Sequence, residues 1–240
     1  MKWLAIDTST SALAIGVIDK EKVWGEMLTD LKRHHSERLL PSIQQLLQEA
    51  HIPLTDIGGI AVSRGPGSYT GVRIGVMTAK TLAWSLEIPL VGVSSLAALA
   101  VNGQRFSGLL VPMWDARRER VYTGLYQADG ETVLTRLQHD QVVSVIEWVE
   151  KLAGERGPFF FLGDGALQYR ALIQSHLSGK ALFATGAENV VHAHAVAHLA
   201  MKKYEGAGPD RVDDFAPEYL QVTEAEAKWD KQNRMNSLRK

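Results

Sequence analysis

The sequence predicts an α/β protein of two similar halves, each a mixed sheet flanked by helices. Three observations lead there. Residues 3–6, 12–18 and 23–28 are short apolar runs joined by tight polar turns, the pattern of consecutive antiparallel strands. Helical and strand-like segments then alternate, so the order over the first hundred residues is β-β-β-α-β-α-β-α. After Asn102-Gly103-Gln104, the best candidate boundary, runs at 109–114, 120–127 and 132–137 begin the same order again.

In the first half, Asp7-Thr8-Ser9-Thr10-Ser11 turns the chain between the first two strands, and Asp19-Lys20-Glu21-Lys22 turns it into the third. Ser36 is the expected N-cap of a helix whose residues Leu39, Leu40, Ile43, Leu46, Leu47 and Ala50 recur at helical spacing. Pro41 either kinks that helix or marks where its regular part begins. A strand at 57–63, a helix at 70–86, a strand at 89–93 and a short helix at 95–101 follow. In the second half a helix is expected at 141–152, with Val142, Val145, Ile146 and Val149 on one face. Then come a strand at 159–162, a Gly163-Asp164-Gly165 turn, and helices at 167–177 and 189–205. The expected division is 1–102, 103–222 (its last helix able to pack back on the first half) and a charged tail, 223–240.

Composition excludes several classes. Of 240 residues, 45% are apolar and 22% charged, which supports a packed core rather than global disorder. Lys plus Arg is 26 against 27 Asp plus Glu; the net charge of −1 argues against autonomous nucleic-acid binding and leaves little repulsion to oppose association. Cysteine is absent, which removes disulfides, thiolate nucleophiles and Cys-ligated metals. No apolar run approaches the ~20 residues of a membrane span. The opening segment meets Asp7 after four apolar residues, too soon for a signal peptide, so a cytoplasmic location is expected.

Two segments suit phosphate chemistry. Asp7, Thr8 and Ser9 place an acid and hydroxyls at a strand end, able to hold a Mg²⁺-bound phosphate or simply to form a turn. Gly65, Gly67 and Ser68 precede a helix N-terminus, where free N–H groups favour an anion; the Gly-Lys-Ser/Thr of a P-loop is missing. The 70–86 helix carries apolar residues around almost its whole circumference, with Arg73 and Lys80 on one stripe and Gly71, Gly75 and Ala79 on another. Such a helix is either buried within its own chain or shared with a partner. His194 and His198 share a helical face, but no third ligand is evident, so no metal site is expected. Asp115-Ala116-Arg117-Arg118-Glu119-Arg120 reads as a hairpin tip or an anion site.

Taken in order, Leu4-Ala5-Ile6-Asp7-Thr8-Ser9, His35-Ser36-Glu37-Arg38-Leu39-Leu40-Pro41, residues 65–75 (GPGSYTGVRIG), Asp115-Ala116-Arg117 and Pro217-Glu218-Tyr219-Leu220 resemble the bacterial TsaB (YeaZ) family over nearly the whole chain. Gln221 departs from the arginine common there. The resemblance implies an actin-like, two-lobed ATPase-superfamily (ASKHA, ribonuclease H-like) fold. It implies a non-catalytic subunit in making threonylcarbamoyladenosine at position 37 of ANN-decoding tRNAs. A TsaD-like subunit would carry the transfer chemistry, a TsaE-like ATPase would join, and tRNA would be met only within the complex. No cofactor is implied for the subunit itself, although ATP or ADP could sit at the subunit interface against Asp7, Thr8, Ser9, Gly65, Gly67 and Ser68. The histidine pair that TsaD uses for metal falls here on Ser95 and Leu99, which cannot replace two imidazoles.

The resemblance also gives the two helices a purpose: contact with TsaD, or with a second copy when alone, through Ser36, Leu39, Leu40, Ile43, Leu46, Leu47, Gly71, Val72, Gly75, Val76 and Ala79. Gly75→Glu or Leu46→Asp is then expected to abolish assembly and spare the monomer. The tail from Glu224 to Lys240, with five basic and three acidic residues, could add to a composite tRNA surface. Two rivals stand beside this reading. One is a nucleotide-binding actin-like ATPase or kinase using Asp7 and Asp164; the other is a metallopeptidase, for which no His-Glu-x-x-His is present.

Overall fold

The computed structural model describes residues 1–31, 34–128 and 134–221. Its first sheet contains β1 (Lys2–Asp7), β2 (Ala12–Ile18), β3 (Val23–Asp30), β4 (Ile57–Ser63) and β5 (Leu90–Val93), in the order β3-β2-β1-β4-β5. The second contains β6 (Leu109–Asp115), β7 (Arg120–Ala128), β8 (Leu134–Ser144), β9 (Phe159–Leu162) and β10 (Ala181–Phe183), in the order β10-β9-β6-β7-β8. The two orders match strand for strand. In each, the central strand pairs antiparallel with its hairpin neighbour and parallel with the strand that returns after a helix. The doubled order read from the sequence is thus a doubled topology.

The helices are α1 (His35–Glu49), α2 (Tyr69–Leu86), α3 (Ser95–Val101), α4 (Val145–Ala153), α5 (Asp164–Gln168), α6 (Arg170–Leu177) and α7 (Ala193–Ala207). Because successive side chains of a strand point to opposite faces, β1 feeds two cores. Leu4 and Ile6 join Leu39 and Ile43 of α1 and Val72 and Val76 of α2. Trp3 and Ala5 join Leu96 and Leu99 of α3, Val196 and Ala197 of α7, and Trp114 and Leu162 of the second sheet. A third core sets Val111 and Met113 against Val145, Trp148 and Ile173. The layers therefore run α1 and α2, first sheet, α3 and α7, second sheet, α4 with α6. Each fully buried large side chain contributes about 1.5–3 kcal/mol. Both β1 and β6 are apolar on two faces because helices cover both.

Several expected elements differ. The helix expected at 141–152 starts at Val145, because Gln141, Val142 and Val143 pair with Thr123, Tyr122 and Val121 as the end of β8. The helix expected at 167–177 is two short ones divided at Tyr169, and α7 starts at Ala193 after a 3₁₀ turn at Gly186–Asn189. Strand β10, three residues long, had no periodic signal to find. Ser36 lies inside α1 rather than capping it; the N-cap is His34, and Pro41 sits within the helix on an exposed position. The start of the strand expected at 132–137 and the tail 223–240 lie outside the described residues. No helix among the described residues is long and apolar enough to cross a membrane.

Candidate functional site

The expected phosphate-facing residues do come together, but largely to hold one another. Asp7 ends β1, Thr8 and Ser9 follow it, and each is about 1% exposed. The Ser9 hydroxyl donates to the Asp7 carboxylate, 3.1 Å from Oδ1 and 3.0 Å from Oδ2, and the Ser9 N–H lies 3.2 Å from Oδ1. The Thr8 hydroxyl donates to the Gly71 carbonyl at 2.7 Å, and the Ser68 N–H donates to the Ser9 carbonyl at 2.7 Å. Ser68 caps α2 by accepting from the Gly71 N–H at 3.3 Å. Burial pushes the Asp7 carboxyl above its ordinary range, opposed by the hydrogen bonds from Ser9. A buried acid held at a strand end costs stability, and such placements cluster at functional sites.

Glycine makes this contact between β1 and α2 possible. A Cβ at Gly71 would collide with the Thr8 carbonyl oxygen, and one at Gly75 with the Thr8 hydroxyl. Gly67 passes equally close to the Ser9 carbonyl, and at Gly65, whose φ is +115°, a Cβ would stand 2.5 Å from the Glu218 carbonyl oxygen. The C-terminal segment closes over this loop: Glu218 N–H donates to the Arg64 carbonyl at 2.7 Å, and Lys80 Nζ reaches the Asp213 carbonyl at 2.8 Å.

This geometry corrects the expected partner contacts. Leu39, Ile43, Leu46, Leu47, Gly71, Val72, Gly75, Val76 and Ala79 are buried in their own chain, on the first sheet. The small-residue stripe admits the turn after β1 rather than a foreign helix. Gly75→Glu would drive a side chain into Thr8, and Leu46→Asp would bury a charge, so both would break the monomer. Of the expected set, Ser36 and Leu40 remain exposed.

The outer side of α2 carries side chains that the list of expected contacts lacked. Trp84 is 72% exposed and Met77 51%, and Leu40 of α1 is 56% exposed. Tyr69 stacks on Tyr219 with ring centroids 4.6 Å apart, and the Arg73 guanidinium lies 4.5 Å from the Tyr69 ring centroid. Residues 73, 77, 80 and 84 fall at helical spacing, so the Arg73–Lys80 stripe was the signal that these residues face outward.

At the second lobe, Asp164 Oδ1 accepts from the Asp115 N–H at 3.0 Å, and Asp115 Oδ1 accepts from the Arg117 N–H at 3.1 Å. The Ser95 and Leu99 positions, set by resemblance to the histidines of TsaD, are packed between the lobes. The Ser95 hydroxyl donates to the Pro66 carbonyl, and Leu99 is fully buried, with its Cδ2 3.0 Å from where a Cβ on Gly163 would stand.

Comparison with known proteins agrees with this architecture. A family model described as TsaD, tRNA N6-adenosine threonylcarbamoyltransferase, matches residues 27–229. The tRNA threonylcarbamoyladenosine biosynthesis protein TsaB of Bacillus subtilis (strain 168) is 43% identical over 229 residues, 95% of this chain and 98% of that protein. The structure of YeaZ from Pseudomonas aeruginosa superposes with a TM-score of 0.77 at 29% identity, covering 91% of this chain and 99% of that one. The activator of the 2-hydroxyisocaproyl-CoA dehydratase from Clostridium difficile, solved with bound ADPNP, shares the fold alone, with a TM-score of 0.50 at 10% identity over 85% of this chain and 96% of that one. Two lobes of matching sheet order, joined through a shared helical layer, are the actin-like fold. With its sequence and its fold matched over nearly the full length, the chain belongs to the TsaB (YeaZ) family.

Proposed function

We propose that this chain is a subunit of the machinery that makes threonylcarbamoyladenosine in tRNA, and that it assists without performing the transfer. The observation that carries this is the 43% identity, sustained over 95% of the chain, to a protein named for that biosynthesis. The non-catalytic role is supported by Ser95 and Leu99, where a hydroxyl bonded to the Pro66 carbonyl and a buried isobutyl group stand in place of ligands. Docking on a TsaD-like catalytic subunit is assigned to the outer faces of α1 and α2. Leu40, Met77 and Trp84 are large apolar side chains left exposed on these two helices, and Trp, Tyr and Arg are the side chains that dominate interfaces. The same face would pair two copies when the catalytic subunit is absent. A TsaE-like ATPase and tRNA are met within that assembly.

Reconstitution tests the reading. The modification reaction run with a TsaD-like subunit and a TsaE-like ATPase should need this chain, and full activity without it would overturn the proposal. Trp84→Glu with Met77→Glu should abolish co-elution with the catalytic subunit while far-UV circular dichroism stays unchanged.

A second reading, ATP or ADP between subunits or lobes, is favoured by Asp7, a buried carboxyl kept at a strand end despite its cost. Calorimetry with MgATP on the isolated chain and on the complex tests it; binding by the complex that Asp7→Asn weakens supports it, and no heat in either refutes it.

A further inference from the structure

The histidines at the start of α7 find, in the folded chain, a carboxylate that lies far away in sequence. Glu26 is on β3, directly across from Gly16 on β2. With no side chain at position 16, Ala193 at the start of α7 settles onto the sheet; a Cβ on Gly16 would stand 3.0 Å from the Ala193 Cβ. That seating brings the flanking imidazoles of His192 and His194 to the Glu26 carboxylate. Nδ1 of His194 is 3.3 Å from Glu26 Oε2, and Nδ1 of His192 is 3.7 Å from Oε1. The three candidate ligand atoms lie within 4.8 Å of one another. Zinc–ligand bonds of about 2.0–2.1 Å in a tetrahedron put ligand atoms roughly 3.3 Å apart. Small side-chain rotations therefore close this set on one ion.

A second observation fixes how His192 is held at this carboxylate. His192 Nε2 lies 3.1 Å from the Ala187 carbonyl oxygen. A carbonyl only accepts, so Nε2 carries a hydrogen. Nδ1 then turns either a lone pair or a second proton toward the carboxylate. Two lone pairs in that position repel unless a cation lies between them, and a metal ion fills the role as a proton does. Tethering the far N–H of an imidazole to a backbone carbonyl is also how ligating histidines are oriented. The His194 side chain is 45% exposed, which leaves an entry path and room for solvent as a fourth ligand.

We propose that Glu26, His192 and His194 form a binding site for a divalent transition-metal ion of the zinc class, which clips the edge strand β3 to the start of α7. Two imidazole nitrogens and one carboxylate oxygen suit zinc; calcium and magnesium favour more, and all-oxygen, ligands. Glu26 has another role that stands without metal: its Oε1 accepts from the His194 N–H at 3.3 Å, near the free N–H groups of α7. The test has to separate the two.

The full-length chain, stripped with chelator and dialysed, is titrated with zinc chloride by calorimetry and with cobalt by visible absorption. One equivalent should bind per chain, and zinc at a hundredfold excess over its Kd should raise the thermal midpoint by about 5–10 °C. Glu26→Gln and His194→Ala should each weaken binding at least tenfold, in the range expected for losing a ligand or its support. His176→Ala, on the distant helix α6, should leave binding unchanged. If Glu26→Gln fails to fold, His194→Ala decides alone, because that side chain is half exposed. Absence of stoichiometric binding, or equal affinity in the wild type and the folded ligand variants, would overturn the site and leave Glu26 as a cap for α7.

Discussion

The two lobes share a sheet order and finish its central strand in opposite ways. After β1 the chain turns through Asp7, Thr8 and Ser9, all buried, and α2 is pressed onto that turn through Gly71 and Gly75. After β6 the matching turn runs through Arg117, Arg118 and Glu119, all exposed and all left-handed, with φ of 62°, 53° and 56°. The helices follow suit: α2 is 18 residues long, whereas its counterpart is split into α5, of 5 residues, and α6, of 8. One topology thus accommodates a closed turn and an open one. The closed turn requires every buried hydroxyl of that turn to find an acceptor, which Thr8 and Ser9 do; the open turn places its polar groups in water and accepts backbone strain instead.

The sharpest way to break the comparison is to add one methyl group to each lobe. Gly71→Ala puts a Cβ into backbone of the closed turn and should cost about 3 kcal/mol or more in urea denaturation; Gly165→Ala, whose nearest neighbour would be 3.0 Å away, should cost about 1 kcal/mol. Equal losses would show that α2 is seated on its turn no more tightly than α5 is seated on the end of β6. Next in size is the seam between lobes: Leu99→Ala should cost about 2–4 kcal/mol, because the side chain is fully buried in the layer that both sheets share.

A smaller effect depends on pH. Because the folded state raises the Asp7 pKa, folded chain binds the proton more tightly than unfolded chain. Stability from this group is therefore fully present below the ordinary value of 3.8 and is lost as pH rises through the folded value. Asp7→Asn should accordingly be more stable than wild type at pH 7, with the advantage fading toward pH 3.8, as followed by denaturant midpoints across that range. A constant difference at all pH values would remove burial of the charge as its cause. The smallest effect belongs to the open turn: Glu119→Gly relieves one left-handed residue and should add about 0.5–1 kcal/mol. No gain would mean that the turn is held by contacts rather than strained.

Much of the fold was legible because long-range pairing follows local pattern here. The apolar runs that became β1, β2, β4 and β6 are separated by turn residues, and their repeat of order anticipates the matched sheets. Legibility failed where two periods compete. Val142 and Val143 suit a helix face or a strand, and only pairing with β7 makes them strand. Helical periodicity shows α2 apolar all round, but which side meets the sheet depends on Thr8, which is 63 residues from Gly71 in sequence and so invisible to that periodicity. Likewise, helical spacing pairs His194 with His198 and puts His192 nearby, whereas only folding brings Glu26 to His192 and His194.

By itself the sequence determined the doubled α/β order, the strand-end acid Asp7, the glycine loop and the family resemblance. These depend on residue type, spacing and local backbone freedom, all of which are written along the chain. Only the tertiary structure decided which face of α2 is inside, that the glycines admit a neighbouring turn, and that Glu26 meets two imidazoles. Those outcomes depend on how layers pack, and packing brings together residues whose separation in sequence carries no trace of their contact.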